Sequence, residues 1–259
     1  MLEFMQQHSE VVSPGRSGFH VLYTNALALV GYCIFGLATE FLAIPPDFAT
    51  PVWPAAGFAL AMVLIHGRMV LPGIFLGAVI ANLLITLWQG NAFELQPLLL
   101  ATMIAVGATL QSAITATLIT RQRDRIIMLD DDRDIMRLVL LAGPVGSLIS
   151  ATNGTTQLCL FGLVHWSLWT SNWMIWWIGD AVGTLLVTPV VLKILSPQLR
   201  KATGHPFLVS LPSVFMLVLV VGAFYYVRSL GEEKRHNATA EFGEKIAAEI
   251  RWQLQEAHF

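Results

Sequence analysis

Residues 168–194 read LWTSNWMIWWIGDAVGTLLVTPVVLKI. At a rise of ~1.5 Å per residue, this run makes a helix roughly 40 Å long, more than the ~30 Å of a bilayer's hydrocarbon core. It carries one acid, Asp180, near its middle and one base, Lys193, near its end, with Trp169, Trp173, Trp176 and Trp177 crowded at its start. A surface helix of a soluble protein has a charged face, and this one has none. A transmembrane helix holding a single intramembrane carboxyl is the reading, and it sets the fold class for the chain.

Composition extends that reading. The chain has 259 residues, 55% hydrophobic and 12% charged, with mean hydropathy +0.65. A soluble domain carries about 25% charged residues, so lipid must cover most of this surface. Met1 to Ser17 is polar with one base, Arg16, which does not fit a secretory signal peptide. Seven apolar segments emerge, approximately Phe19–Ala43, Trp53–His66, Val70–Trp88, Pro97–Thr120, Ile135–Val164, Leu168–Ile194 and Pro206–Val227. The expected fold is an all-α polytopic membrane bundle of about seven transmembrane helices.

Lys and Arg favour the cytoplasmic side of a membrane. With the N-terminus inside, Arg16, Arg68, the arginines from Arg121 to Arg137, Lys193, Arg200 and Lys201 all fall inside. The outer connectors near Ile44–Val52, Gln89–Gln96 and His165–Ser167 hold no Lys or Arg. Trp53, Trp88, Trp166, Trp169 and Trp173 lie at outer segment ends, where indoles prefer to sit. Seven crossings then put the C-terminus outside. The organisation expected is a cytoplasmic segment 1–18, a membrane-embedded domain 19–227 and a periplasmic segment 228–259.

Two segments are irregular. Trp53–His66 would span only ~21 Å, and it follows an apolar, Pro-rich run, Ile44–Pro54, expected to dip into the outer leaflet. Ile135–Val164 contains Gly143-Pro144-Val145-Gly146 and Asn153-Gly154, which predicts a kinked or broken helix, the alternative being two short helices. From Gly231 the chain turns charged and helical in pattern and reaches residue 259 without a stop signal, so it is expected to continue.

No phosphate loop, zinc pair or nucleophile elbow is present, and an enzyme reading of the chain is poor. No cofactor or metal is expected. Cys33 and Cys159 sit in apolar runs and read as small buried hydrophobes. His66 and His165 read as interfacial residues, and Arg121 to Arg137 as a solvated loop. The informative groups are polar ones inside the membrane. Asp180, Asn82 and Asn153 are the leading set, while Gln111 and Ser112 read as interhelical glue. A central carboxyl costs ~2.5–3.5 kcal/mol on insertion scales, so it should face inward and find water, a partner or a proton. The candidate ligand site is Asp180 beneath an outward-opening polar pocket, walled by Trp53, Trp173 and Trp177, with Asn82 and Asn153 contributing. Gly179 and Gly183 would let a neighbouring helix approach closely.

Several blocks then resemble a known family. Pro51-Val52-Trp53-Pro54-Ala55-Ala56-Gly57-Phe58-Ala59-Leu60, Gly67-Arg68, Leu71-Pro72-Gly73-Ile74-Phe75-Leu76-Gly77, Ser150-Ala151-Thr152-Asn153-Gly154 and Trp176 through Pro189 resemble the membrane-associated sensor domain, type 1. The resemblance implies an inner-membrane sensory input of a bacterial histidine kinase, in a two-component system, or of an enzyme of cyclic-di-GMP turnover. The segment from Arg228 looks like the opening helix of a CHASE-type extracytoplasmic domain. Expected partners are membrane lipid, a small-molecule ligand, a second copy in the full-length protein, or a partner membrane protein, and not nucleic acid. A solute-binding or transport module and a docking scaffold are the competing readings. Uptake into proteoliposomes separates the first of these from a sensor.

Overall fold

A computed structural model describes residues 18–41, 52–90, 92–120 and 136–196. The stretch 121–135, residues 44–51 of the Pro-rich run, the seventh candidate segment and the region from Arg228 lie outside the described residues. Six α-helices are described: α1 (Gly18–Leu37), α2 (Pro54–His66), α3 (Leu71–Trp88), α4 (Leu95–Thr120), α5 (Gly146–Leu160) and α6 (Trp169–Leu195). Five helical stretches are long and apolar enough to cross a membrane: Gly18–Leu37, Arg68–Trp88, Leu95–Thr120, Leu138–Leu160 and Trp166–Leu195. They answer five of the seven expected segments. The second expected segment is α2, too short to qualify alone, and the seventh falls outside the described residues.

The interrupted fifth segment is one continuous helical rod. A π-helical stretch, Leu138–Val145, holds Pro144 and runs directly into α5. Proline has no N–H and its ring crowds the preceding turn. Widening the turn absorbs that misfit without breaking the helix. The expected disruption is therefore local, and the two-helix alternative does not hold.

The core forms around the short helix. Nine residues of α2, Ala55 through Val63, are buried, so it is apolar all round and enclosed by its neighbours. Pro54 occupies its first turn, where a missing N–H costs nothing. Its other end stops at Gly67, whose φ of 79° suits glycine, and Arg68 then reaches Thr117 Oγ1 of α4 at 3.0 Å.

Small residues set the helix spacing. On α3, Gly73, Gly77 and Ala81 recur every fourth residue against α1: a Cβ on Gly73 would strike the Asn25 main chain, and one on Gly77 would strike Leu29 O and Tyr32. Close backbone approach substitutes for a hydrophobic driving force that lipid cannot supply. Asn25 locks the same seam, donating to Met69 O at 2.9 Å and accepting from Gly73 N at 2.8 Å. The lipid-facing sides of the long helices carry exposed Leu, Ile, Val and Met, as at Ile34, Leu76, Leu110 and Ile178.

Candidate functional site

The α2–α6 seam places Asp180. The Trp53 N–H donates to Gly179 O at 2.9 Å, so α2 begins beside a point ten residues down α6, roughly 15 Å below its first residue. A side chain on Gly183 would overlap the Trp53 carbonyl and Pro54 N, and one on Gly57 would overlap Gly183 O. Lower on the seam, Thr188 Oγ1 donates to Gly57 O at 3.0 Å. The two helices are in backbone contact, as the glycines at 179 and 183 predicted.

Within this seam Asp180 is 1% exposed and faces inward, as its cost in lipid required. Among the described residues, neither carboxyl oxygen is within hydrogen-bond geometry of a partner, and the Thr184 hydroxyl one turn below is likewise unpartnered. Ser150 of α5 stands beside the carboxyl, the nearest hydroxyl able to donate to it. Tyr32 of α1 lies within electrostatic range, its hydroxyl accepting from Trp53 Nε1 at 3.4 Å. Buried polar groups in folded proteins are nearly all paired, so an orphaned carboxyl marks a special position.

Above Asp180, tryptophans join α6 to α5 by a regular ladder. Trp169 Nε1 donates to Thr156 Oγ1 at 3.3 Å, and Trp173 Nε1 to Thr152 Oγ1 at 3.0 Å. Both helices advance four residues per rung, in opposite directions. The next position on the α5 side is Leu148, which has no acceptor. Trp177 Nε1 instead reaches the Pro144 carbonyl at 2.8 Å, within the π-helical stretch. The rings stack along α6, with Trp169–Trp173 centroids 6.1 Å apart and Trp173–Trp177 centroids 5.8 Å apart at an interplanar angle of 8°.

At the same end of the bundle, a cavity of about 320 Å³ opens between α3, α4, α5 and α6. Leu100, Ile104, Leu158 and Trp176 give it an apolar floor, and Asn82, Thr86, Gln89, Glu94 and Gln96 a polar wall. Trp176 has a second contact, its ring seating on Gly154 of α5 where a Cβ would collide with it.

The MASE1 family model matches residues 24–230. This chain belongs to the MASE1 family. MASE1 is a membrane sensory domain of signalling proteins, not a catalytic one, and with its five long apolar helices this MASE1 chain is an integral membrane protein. No curated protein matches the chain, and no solved structure does.

The site residues predicted for this MASE1 domain divide into four groups. Trp53 and Asp180 come together at the head of the α2–α6 seam. Trp173 and Trp177 share the Asp180 face of α6 but spend their N–H groups on the ladder to α5. Asn82 lies on the cavity wall. Asn153 turns to α4, donating to Met103 O at 2.8 Å across Gly107, and is not among the groups the structure brings to Asp180. Sequence reasoning missed Trp176 as a cavity wall, Tyr32 and Ser150 near the carboxyl, and Asn25. The spacing of Gly73, Gly77 and Ala81 was the one available signal for the α1–α3 seam. Among the described residues, no group of three His, Cys, Asp or Glu side chains could hold a metal. Cys33 and Cys159 are free thiols, Cys33 donating to Gly77 O at 3.4 Å.

Proposed function

We propose that this MASE1 chain detects a small molecule in the cavity between α3, α4, α5 and α6 and passes the signal along α6. On the orientation drawn from the positive-inside pattern, this end of the bundle faces the periplasm of a bacterial inner-membrane protein. One observation carries the reading: Trp176 is at once a wall of the cavity and the residue seated on Gly154. A ligand against Trp176 bears directly on the α5–α6 seam, and a helix moves as a unit toward whatever output follows the membrane domain. Asp180, buried one turn below Trp176, lies where such a shift changes a carboxyl's surroundings. The output, a histidine kinase or a cyclic-di-GMP enzyme in the reading above, is carried by the full-length protein.

Filling the cavity tests this. Leu100→Trp in the full-length protein is expected to lock signalling in one state, read as a stimulus response lost by about tenfold or more. Ile114→Trp, on the lipid-facing side of the same helix at 42% exposure, is the control and should respond like the parent. A Leu100→Trp protein that responds normally removes the cavity from the signalling path.

A further inference from the structure

The chemistry of the cavity wall is one-sided. Asn82 Nδ2 donates to Ala78 O at 2.8 Å, and Gln96 Nε2 donates to Phe161 O at 3.2 Å. A carbonyl partner can only meet the NH₂ end of an amide, so these bonds fix both side-chain orientations. Asn82 and Gln96 each spend an N–H on these bonds, and their oxygens are left as acceptors beside the cavity. Glu94 adds a carboxylate, an acceptor without donors when ionised. No Lys, Arg or His is among the described residues that line the space. Gln89 forms no side-chain hydrogen bond with a described residue and can turn either end inward.

Acceptors and a negative charge stand at the wall, and an indole with three aliphatic side chains forms the floor. An anion would meet the like charge of Glu94. A neutral apolar molecule would leave the amide oxygens and the carboxylate without partners as it displaced their water. A cation with N–H donors satisfies the wall, and its apolar body covers Leu100, Ile104 and Leu158. The Trp176 face attracts the same charge through its quadrupole. A volume of about 320 Å³ lies at the small end of ligand pockets, which sets the size of the molecule.

We propose that the cavity is a binding site for a compact organic cation, an ammonium group on an aromatic or short aliphatic body. The inference rests on the cavity being the input site. Its test does not depend on signalling.

The chain in phosphatidylcholine nanodiscs is titrated by equilibrium dialysis with three probes of one shape: 2-phenylethylammonium, 2-phenylethanol and 3-phenylpropanoate. The ammonium is expected to bind roughly tenfold more tightly than the alcohol, from the carboxylate and the indole together, with the carboxylate probe weakest. Glu94→Gln, at an exposed position that keeps shape and polarity, should reduce the preference for the ammonium by about fivefold. Leu100→Trp should abolish binding of all three. Equal binding of ammonium and alcohol, tighter binding of the carboxylate probe, an unchanged preference in Glu94→Gln, or no binding by any probe would overturn the assignment. If the ammonium binds selectively while Leu100→Trp leaves signalling intact, the ligand class stands and the sensory reading of the cavity falls.

Discussion

The two halves of α6 are built differently although one run of apolar sequence encodes both. From Trp169 to Ile178 no residue is fully buried, whereas seven of the eleven from Gly179 to Pro189 are. The N-terminal half is tied to α5 and the π-helical stretch before it by three indole N–H bonds to two hydroxyls and one carbonyl, and it borders a cavity. The C-terminal half is pressed backbone to backbone on α2 at Gly57 and Gly183, with Thr188 bonded across. Glycine contacts fix a geometry because nothing in them can yield. Indole bonds to side-chain hydroxyls can be exchanged for bonds to water or a ligand at little cost. One helix thus holds a fixed anchor and an adjustable arm, and Asp180 sits where they meet.

Breaking the anchor should have the largest effect. Gly183→Leu drives a side chain into the Trp53 carbonyl and Pro54 N, both main-chain atoms that cannot move aside. We expect a loss of about 3 kcal/mol or more, seen as a collapsed thermal transition in detergent and poor accumulation in the membrane. A variant as stable as the parent would show that the seam is loose and the contrast with the N-terminal half false.

Loosening the arm should cost less. Trp177→Phe keeps the ring stack and removes the donor to Pro144 O, with an expected loss of about 1 kcal/mol in unfolding free energy. Trp169→Phe, whose partner is a hydroxyl at 3.3 Å, should lose about 0.6 kcal/mol. If Trp169 proves the more important rung, the π-helical carbonyl is not where the ladder is anchored.

The junction between the halves is tested by the mildest change. Asp180→Asn preserves volume and hydrogen-bonding capacity toward Ser150, so stability should shift by less than about 1 kcal/mol. Signalling by the full-length protein should nonetheless change. If the response is unaltered at every pH tested, Asp180 is a packing residue and the ionisable-site reading ends there.

Much of this was legible because it is one-dimensional. Hydropathy located the five long helices, and the cost of a carboxyl in lipid required Asp180 to face inward. The glycines at 179 and 183 announced a close neighbour, and the short Trp53–His66 segment announced an element that does not cross alone. Two polar residues in one membrane can each find a main-chain carbonyl instead of each other, as Asn153 does at Met103. Pro144 signalled a disruption whose form is a widened turn continuing into α5, with the Pro144 carbonyl accepting from the Trp177 N–H.

By itself, the sequence determined that this chain lives in a membrane and which residues are too polar to face lipid, since transfer free energy belongs to each side chain wherever it is placed. It carried the family in the order of its motif blocks. Only the tertiary structure decided which helix meets which, that the Trp ladder runs on the Thr152–Thr156 side of α5, and that Asn82, Glu94 and Trp176 share one cavity. A cavity made by the ends of four helices has no period along the chain. It exists only where the packing of α3, α4, α5 and α6 brings those ends together.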